Sequence, residues 1–275
     1  MKNELIKVKG FEQPTTHPDS LKVPFRLMSV GASGTGKTNA VCNYLNNYYP
    51  KHDIFNHKIL ISPTGTFNKE TGLRNEPKFE GFADEEHSTF NKAIMKKIFD
   101  DQKARIVKHK EYLEDCKTYQ KILTDEGLLT DHEIMQYFNK HEFNKPEPPF
   151  GKETYPHLLI LFDDNASLTE SKWLSDIAST ARHYFCSLCI LSQHYSQMSR
   201  GLRKQMNSLM LFKTGDEKML KTLWEQTSAS DVTWEQYLNF YKQLTDRWDF
   251  VFHDWSVPET SRRYTKCFDG CGSLI

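Results

Sequence analysis

One stretch of the sequence has the residue types and spacing of a phosphate-binding loop. It runs from Gly31 to Thr38 and fits G-x-x-x-x-G-K-[ST] with one additional glycine. Gly31 and Gly36 allow a tight backbone path whose N–H groups point at phosphate oxygens. Lys37 would reach the β- and γ-phosphates of ATP, and the Thr38 hydroxyl would ligate Mg²⁺. The predicted nucleotide-binding residues are Gly31, Ala32, Ser33, Gly34, Thr35, Gly36, Lys37, Thr38 and Asn39.

Two adjacent carboxylates follow an apolar run further along the chain. The run Leu158–Phe162 predicts a buried strand, and Asp163 and Asp164 come directly after it. Because unpaired buried charge is costly, such a pair calls for a ligand. We assign Asp163 to the magnesium ion and Asp164 to the orientation and deprotonation of the attacking water. An N-cap aspartate at the start of the next helix would explain one of the two residues and not both.

A polar amide ends a third apolar run. Gln193 follows Cys189-Ile-Leu-Ser192, and ligands of open α/β sheets bind at the carboxyl ends of strands. We expect Gln193 to sense the γ-phosphate or to position the water. The alternative is an ordinary solvated strand end.

The elements that position these residues form an α/β pattern. Most apolar runs are continuous in Leu, Ile, Val and Phe, which is typical of parallel strands buried on both faces. The predicted strands are Phe25–Val30, Lys58–Ser62, His157–Asp163, Ser187–Ser192, Ser208–Lys213 and Asp249–Asp254. Helices are predicted at Thr38–Tyr49 and Thr169–Arg182. The sequence therefore predicts a mostly parallel sheet flanked by helices, with crossover connections.

A long segment interrupts this pattern. We treat residues 1–275 as a single domain with a helical insertion at 86–150 and C-terminal helices with a last strand at 214–275. Apolar residues recur at helical spacing between Ile94 and Leu123. A second helix begins at Thr130, which forms a capping box with Glu133. The insertion is either a passive decoration or a surface for subunit, capsid or regulatory contacts.

The charge balance limits how the chain could meet nucleic acid. It has 36 basic and 36 acidic residues, so no global field attracts DNA. DNA contact would have to come from a local basic strip, such as Arg200, Arg203 and Lys204 on one loop, or from several subunits that point the same loops at one axis. The alternative for these three residues is a solvated loop.

The cysteines and the apolar runs indicate in which cellular compartment we expect the protein. Cys186 and Cys189 have a zinc-like spacing, but residues three apart on a strand point to opposite faces, so we expect reduced core thiols of a cytosolic protein. Leu158–Phe162 is the longest clean apolar run and is too short to cross a bilayer. No secretory signal is apparent, and we expect no membrane partner.

The motifs in series resemble a known family. A GxxGxGKT loop, the run L-L-I-L-F-D-D, Arg182-His183, I-L-S-Q and a downstream arginine occur in this order. The series looks like the poxvirus-type genome-packaging ATPases of large DNA viruses and virophages, within the FtsK–HerA group of P-loop motors. The resemblance covers roughly residues 24–213, with a weaker echo at Trp248–Asp254.

The resemblance implies a RecA-like P-loop NTPase core with an additional strand between the two Walker strands. These are the strand before the phosphate-binding loop and the strand before Asp163. We assign the additional strand to Lys58–Ser62. It also implies a homo-oligomeric ring that uses ATP and Mg²⁺ to move double-stranded DNA into a preformed capsid, at a portal-like vertex, in the host cytoplasm or with the virion. A neighbouring subunit would supply an arginine finger. Arg182 is our first choice for it and Arg203 our second.

Other functions stay open, and parts of the sequence depart from the pattern of this family. A filament or conjugation export motor would be expected to carry a membrane segment. A nucleotide or small-molecule kinase would carry an arginine-rich lid, and a scaffold that binds nucleotide without turnover would not need all four of Lys37, Thr38, Asp163 and Asp164. No nuclease domain is recognisable. The insertion does not match the family, and most of the last sixty residues stay unassigned, including Trp224, Trp234, Trp248 and Trp255.

Overall fold

The computed structural model centres on an eight-stranded sheet. It describes residues 20–49, 54–63, 67–68, 73–74, 79, 81–124, 129–142, 144–150, 155–163, 172–230, 232–258 and 263–267. The strands are β1 (Arg26–Val30), β2 (His57–Ile61), β3 (Phe67–Asn68), β4 (Leu73–Arg74), β5 (Glu85–His87), β6 (Leu158–Phe162), β7 (Cys186–Ser192), β8 (Ser208–Phe212), β9 (Phe250–Asp254) and β10 (Tyr264–Lys266). The helices are α1 (Lys37–Tyr48), α2 (Lys92–Thr124), α3 (Asp131–His141), α4 (Lys172–Thr180), α5 (Arg200–Gln205), α6 (Glu217–Thr227) and α7 (Trp234–Tyr241).

The sheet is mostly parallel, which confirms the predicted fold class. Its strand order is β10-β9-β8-β1-β7-β6-β2-β5. The six strands from β8 to β5 run parallel, and β9 pairs antiparallel with both β8 and β10. A separate two-stranded ribbon joins β3 and β4. Because the carboxyl ends of β1, β6 and β7 meet at one edge, the three sequence motifs that follow them come together.

The strand between the two Walker strands differs from the prediction. We expected Lys58–Ser62 there, but β2 lies on the far side of β6, and β7 pairs with both β1 and β6. All seven residues of β7 are buried, as its central place requires. The order in the chain does not fix the order in the sheet, because each crossover helix can carry the next strand to either side. The assignment of the additional strand to β2 was therefore wrong.

Two apolar layers cover the two faces of the sheet. Leu27 of β1 packs with Val41 and Leu45 of α1 on one face. Met28, its neighbour in the strand, belongs to the layer on the other face, to which α2 and α4–α7 contribute. Cys186 and Cys189 fall in different layers, as strand geometry predicts, and both are free thiols.

In the described part of the segment predicted as a helical insertion there are two helices. α2 has 33 residues and is tied to the domain by Gln102, whose Nε2 donates to the carbonyls of Pro156 at 2.6 Å and Tyr184 at 2.7 Å. Thr130 and Glu133 form the predicted capping box of α3. β5 lies at the start of this segment and pairs with β2, and its polar sequence gave no strand signal. None of the helices in the described ranges is long and apolar enough to cross a membrane.

Candidate nucleotide-binding site

The loop between β1 and α1 takes a path that needs glycine. Gly34 and Gly36 have φ angles of 75° and 83°, in the left-handed region that residues with a Cβ rarely adopt. Gly36 is the N-cap of α1, so the helix begins at the end of the loop. The N–H of Gly31 donates to the carbonyl of Ser192 at 3.3 Å and joins the start of the loop to the end of β7.

Gly31 is required for a different reason, which is close packing. A Cβ at this position would lie 2.6 Å from Cβ of Phe212 and 2.8 Å from Oγ1 of Thr35. Phe212 ends β8, and its ring is 5.1 Å from the ring of Phe250 in β9. The neighbouring strands therefore press against the loop and leave no room for a side chain.

The carbonyl of Ala32 accepts hydrogen bonds from other residues of the loop. It accepts hydrogen bonds from Oγ1 of Thr35 at 2.8 Å and from Nζ of Lys37 at 3.0 Å. The backbone N–H of Thr35 also donates to it at 3.4 Å. These contacts hold the ammonium of Lys37 over the loop, in the wall of the pocket where a nucleotide phosphate would bind.

The two predicted magnesium ligands meet beside the loop. Oγ1 of Thr38 donates to Oδ1 of Asp163 at 3.2 Å, and the residues are only 8% and 4% exposed. The N–H of Asp163 donates to the carbonyl of Ile61 at 3.0 Å, which fixes the backbone at the end of β6. Hydroxyl and carboxylate oxygens are the ligands that Mg²⁺ prefers. The loop has no room for a Cβ at Gly31 or Gly36. Together, the loop and these two residues fit a magnesium nucleotide.

A pocket of about 280 Å³ lies between the loop and the ends of the strands. It brings together eight of the predicted site residues, and Leu191, Ser192 and Trp248 complete its wall. The eight are Ser33, Gly34, Gly36, Lys37, Thr38, Asn39, Asp163 and Gln193. Asp164 lies outside the described residues, so its place in the site stays a prediction.

Trp248 is the pocket residue that sequence reasoning missed. It lies in the short connection before β9, far in sequence from the other motifs. The only signal was a tryptophan in a polar stretch, Thr245-Asp-Arg-Trp-Asp249, where no helix or strand core explains it. A spacing rule could not place it, because the contact depends on the pairing of β9 with β8 and of β8 with β1.

Arg182 lies near the amino ends of β1 and β7, and its own pocket lies at their carboxyl ends. It is exposed and precedes β7, whose seven residues separate its two ends by about 20 Å. Burial, and then the nearby charge of Arg182, lower the pKa of Arg26 at the start of β1. The side chain of Arg182 therefore cannot reach the phosphate loop of the same subunit.

Arg203 is also absent from the pocket wall. It is partly buried on α5, and its guanidinium carbon lies 4.5 Å from the centre of the Tyr195 ring. Arg200 and Lys204 are exposed on the same element. We predicted a loop for these three residues, but Ser199 caps a short helix by accepting a hydrogen bond from the N–H of Leu202 at 3.2 Å.

Comparison with known proteins rests on structure. No protein-family model matches the sequence, and neither does any curated protein. The chain is similar to the DNA-packaging ATPase B204 from Sulfolobus turreted icosahedral virus, at 13% identity and a TM-score of 0.51, over 89% of this chain and 97% of that one. This likeness establishes a shared P-loop NTPase fold and agrees with the resemblance seen in the motifs.

Two further solved structures match less closely. The genome-packaging NTPase B204 from Sulfolobus turreted icosahedral virus 2, in complex with ATP-gammaS, has 10% identity and a TM-score of 0.48, over 89% of this chain and 97% of that one. The cytoplasmic domain of the type VII secretion ATPase EccC from Thermomonospora curvata has 15% identity and a TM-score of 0.37. That match covers 70% of this chain and 21% of EccC.

Proposed function

We propose that this chain is an ATP-hydrolysing motor that moves double-stranded DNA and packages a viral genome into a preformed capsid. The contact between Thr38 and Asp163 beside the phosphate loop carries the ATPase part of the proposal. The DNA part is supported by the fold shared with a DNA-packaging ATPase and by the order of the motifs.

Each residue of the site has a chemical task in hydrolysis. The N–H groups of the loop and Lys37 would hold the β- and γ-phosphates, and Thr38 and Asp163 would hold Mg²⁺. When bound, the ion supplies positive charge against the phosphate oxygens. Asp164 would take the proton of the attacking water, and Gln193 in the pocket wall would orient that water.

The position of Arg182 favours assembly into a ring. Among the described residues no arginine lines the pocket, and an arginine from a neighbouring subunit would supply charge that stabilises the transition state. Arg182 is exposed on the opposite edge of the sheet, where a neighbouring subunit could meet it. A homo-oligomeric ring would bring Arg182 of one subunit to the pocket of the next.

A ring would also explain how a chain with no net charge could bind DNA. The net charge of zero gives a single subunit no general attraction for DNA. Arg200 and Lys204 are exposed on α5, and repetition around an axis would concentrate their charge on the phosphate backbone. We expect the motor to act in the host cytoplasm, at the capsid.

The test is ATP hydrolysis with and without linear double-stranded DNA, followed by displacement of the third strand from a DNA triplex. We expect DNA to stimulate hydrolysis and ATP to drive displacement. Lys37→Ala should abolish both while the protein stays folded, and Lys22→Ala, at an exposed site outside the pocket, is the matched control. Hydrolysis without stimulation or displacement would refute the DNA motor. Wild-type turnover by folded Lys37→Ala protein would refute the phosphate site.

A further inference from the structure

The connection that carries Trp248 is held in one conformation by its own side chains. Oδ2 of Asp249 accepts hydrogen bonds from the N–H groups of Thr245 at 2.9 Å and Asp246 at 3.1 Å. Oδ1 of Asp246 accepts one from the N–H of Trp248 at 2.9 Å. The N–H of Asp249 also donates to the carbonyl of Asp246 at 3.2 Å. These contacts fix the backbone on both sides of the tryptophan.

Two lysines attach this connection to the sheet. Nζ of Lys213, just after β8, donates to the carbonyl of Thr245 at 2.8 Å, and its N–H donates to the carbonyl of Asp249 at 3.2 Å. Nζ of Lys266 in β10 lies 3.0 Å from Oδ2 of Asp249. Burial alone would raise the pKa of Asp249, but these hydrogen bonds hold it below its usual value, so the carboxylate stays charged. The indole is therefore positioned before any ligand arrives.

Trp248 stands at the edge of the phosphate loop. A Cβ on Gly36 would lie 2.8 Å from Cε3, 3.2 Å from Cζ3 and 4.0 Å from Cδ2 of the indole. This order of distances places the loop backbone against the edge of the six-membered ring and not against its face. The side chain is 48% exposed, and part of it lines the pocket.

One face of the indole is already covered. The guanidinium carbon of Arg247 lies 4.1 Å from the ring centre, a cation–π distance. Trp248 lines the pocket, whereas Arg247 is not among the residues that line it. Part of the indole is therefore accessible directly beside a site built for phosphate groups.

We propose that Trp248 is the platform on which the base of the bound nucleotide stacks, with Arg247 supporting the indole from behind. This inference rests on the proposed nucleotide-binding function and adds the source of affinity for the base. A planar heterocycle stacks on an aromatic ring through its π-face, and a purine overlaps an indole more than a pyrimidine does. The site would therefore prefer purine nucleotides.

The test compares a ligand that has a base with one that has none. Calorimetry would measure the binding of magnesium ATP, magnesium CTP and magnesium tripolyphosphate to the wild type, Trp248→Ala and Trp248→Phe. We expect Trp248→Ala to weaken ATP binding about 5- to 100-fold, the effect of losing one base–aromatic stack. Tripolyphosphate affinity should be unchanged. Trp248→Phe should retain most of the affinity for ATP, and the preference for ATP over CTP should shrink in Trp248→Ala.

Each other outcome has a definite meaning. Unchanged ATP affinity in Trp248→Ala, or tighter binding, would overturn the platform and leave the phosphate site intact. An equal loss for ATP and tripolyphosphate would show that Trp248 only supports the loop, which also overturns it. Failure of the wild type to bind either ligand would refute the nucleotide-binding function itself. Phe138→Ala, which removes an exposed aromatic ring from α3, should change none of these affinities.

Discussion

Thr38 and Asp163 lie 125 residues apart in the chain and meet through a hydrogen bond of 3.2 Å. The strands that precede them, β1 and β6, are not neighbours, because β7 separates them in the sheet. The contact is possible because α1 begins at Lys37, so Thr38 projects from its first turn toward the end of β6. Two motifs recognised separately in the sequence are thereby joined in one site.

The two carboxylates at the end of β6 should differ in their effects on hydrolysis. Asp164→Asn should still bind ATP and Mg²⁺ but hydrolyse ATP about 10²- to 10⁴-fold more slowly, because the general base is lost and the metal ligand remains. Asp163→Asn should weaken magnesium affinity instead. Single-turnover kinetics and magnesium titrations would separate the two. If Asp163→Asn traps ATP and Asp164→Asn loses the metal, the assigned roles are reversed.

Gly31 should tolerate no side chain. In Gly31→Ala the new methyl group would meet Phe212 and Thr35, so the loop or β8 must shift. We expect a loss of about 1–3 kcal/mol in the free energy of unfolding, together with weaker ATP binding. Urea denaturation and calorimetry would measure both. Gly215→Ala is the control, because nothing lies within 4 Å of its added Cβ. Equal effects of the two substitutions would contradict the packing argument.

How far the sequence predicts this fold depends on what each element contacts. Six strands were predicted within one residue of their ends, because strands buried on both faces require continuous apolar runs. The four short strands β3, β4, β5 and β10 were not predicted. β5 reads Glu85-Glu86-His87 and lies at an edge of the sheet, where its polar side chains stay partly exposed. Such a strand forms because β2 offers free backbone groups, which no local pattern reveals.

The same distinction applies to the candidate site. Residues Gly31–Thr38 could be predicted because each has a local task in one loop, and Asp163 and Gln193 because each ends an apolar run. Trp248 could not be predicted, since its place depends on strand order. The family resemblance implied an arginine finger without showing that Arg182 lies far from its own pocket. That distance follows from the position of β7 in the sheet.

Stability should fall as the pH drops below about 6.5, in part because of His253. Burial lowers the pKa of His253 to about 3, so it stays neutral in the folded protein and gains a proton on unfolding below its ordinary value of 6.5. The unfolded state then binds more protons, and this residue should remove about 2 kcal/mol of stability between pH 7 and pH 5. Urea denaturation at several pH values would measure the slope.

The matched variants isolate this contribution. His253→Phe keeps an aromatic ring beside Tyr264, whose ring centre lies 4.8 Å away, and should flatten the slope between pH 7 and 5. His183→Gln, at an exposed position, should leave the slope as in the wild type. His157, whose pKa is lowered to about 4 by burial and by the proximity of His109, would account for further slope in both variants. An unchanged slope in His253→Phe would exclude His253 as a contributor.

The last prediction concerns Arg182 as an arginine finger that acts between subunits. Arg182→Ala should bind ATP normally and assemble, because the residue is exposed and lies away from its own pocket, yet hydrolyse ATP slowly. The expected loss is of the order of a thousand-fold or more, the effect of removing such a charge from the transition state. Arg203→Ala is the comparison. Because Arg203 packs on Tyr195 within its own subunit, we expect that variant to lose stability more than turnover.

Mixing two inactive proteins distinguishes a finger from a structural arginine. An Asp164→Asn subunit has an intact arginine and an inactive site, and an Arg182→Ala subunit has the reverse. In a mixed ring, some interfaces pair the intact site of one with the intact arginine of the other, so hydrolysis should rise above the sum of the two variants measured alone. Native mass spectrometry would establish that the subunits have exchanged. Mixed rings without recovered activity would remove Arg182 from the catalytic site and leave Arg203 as the candidate.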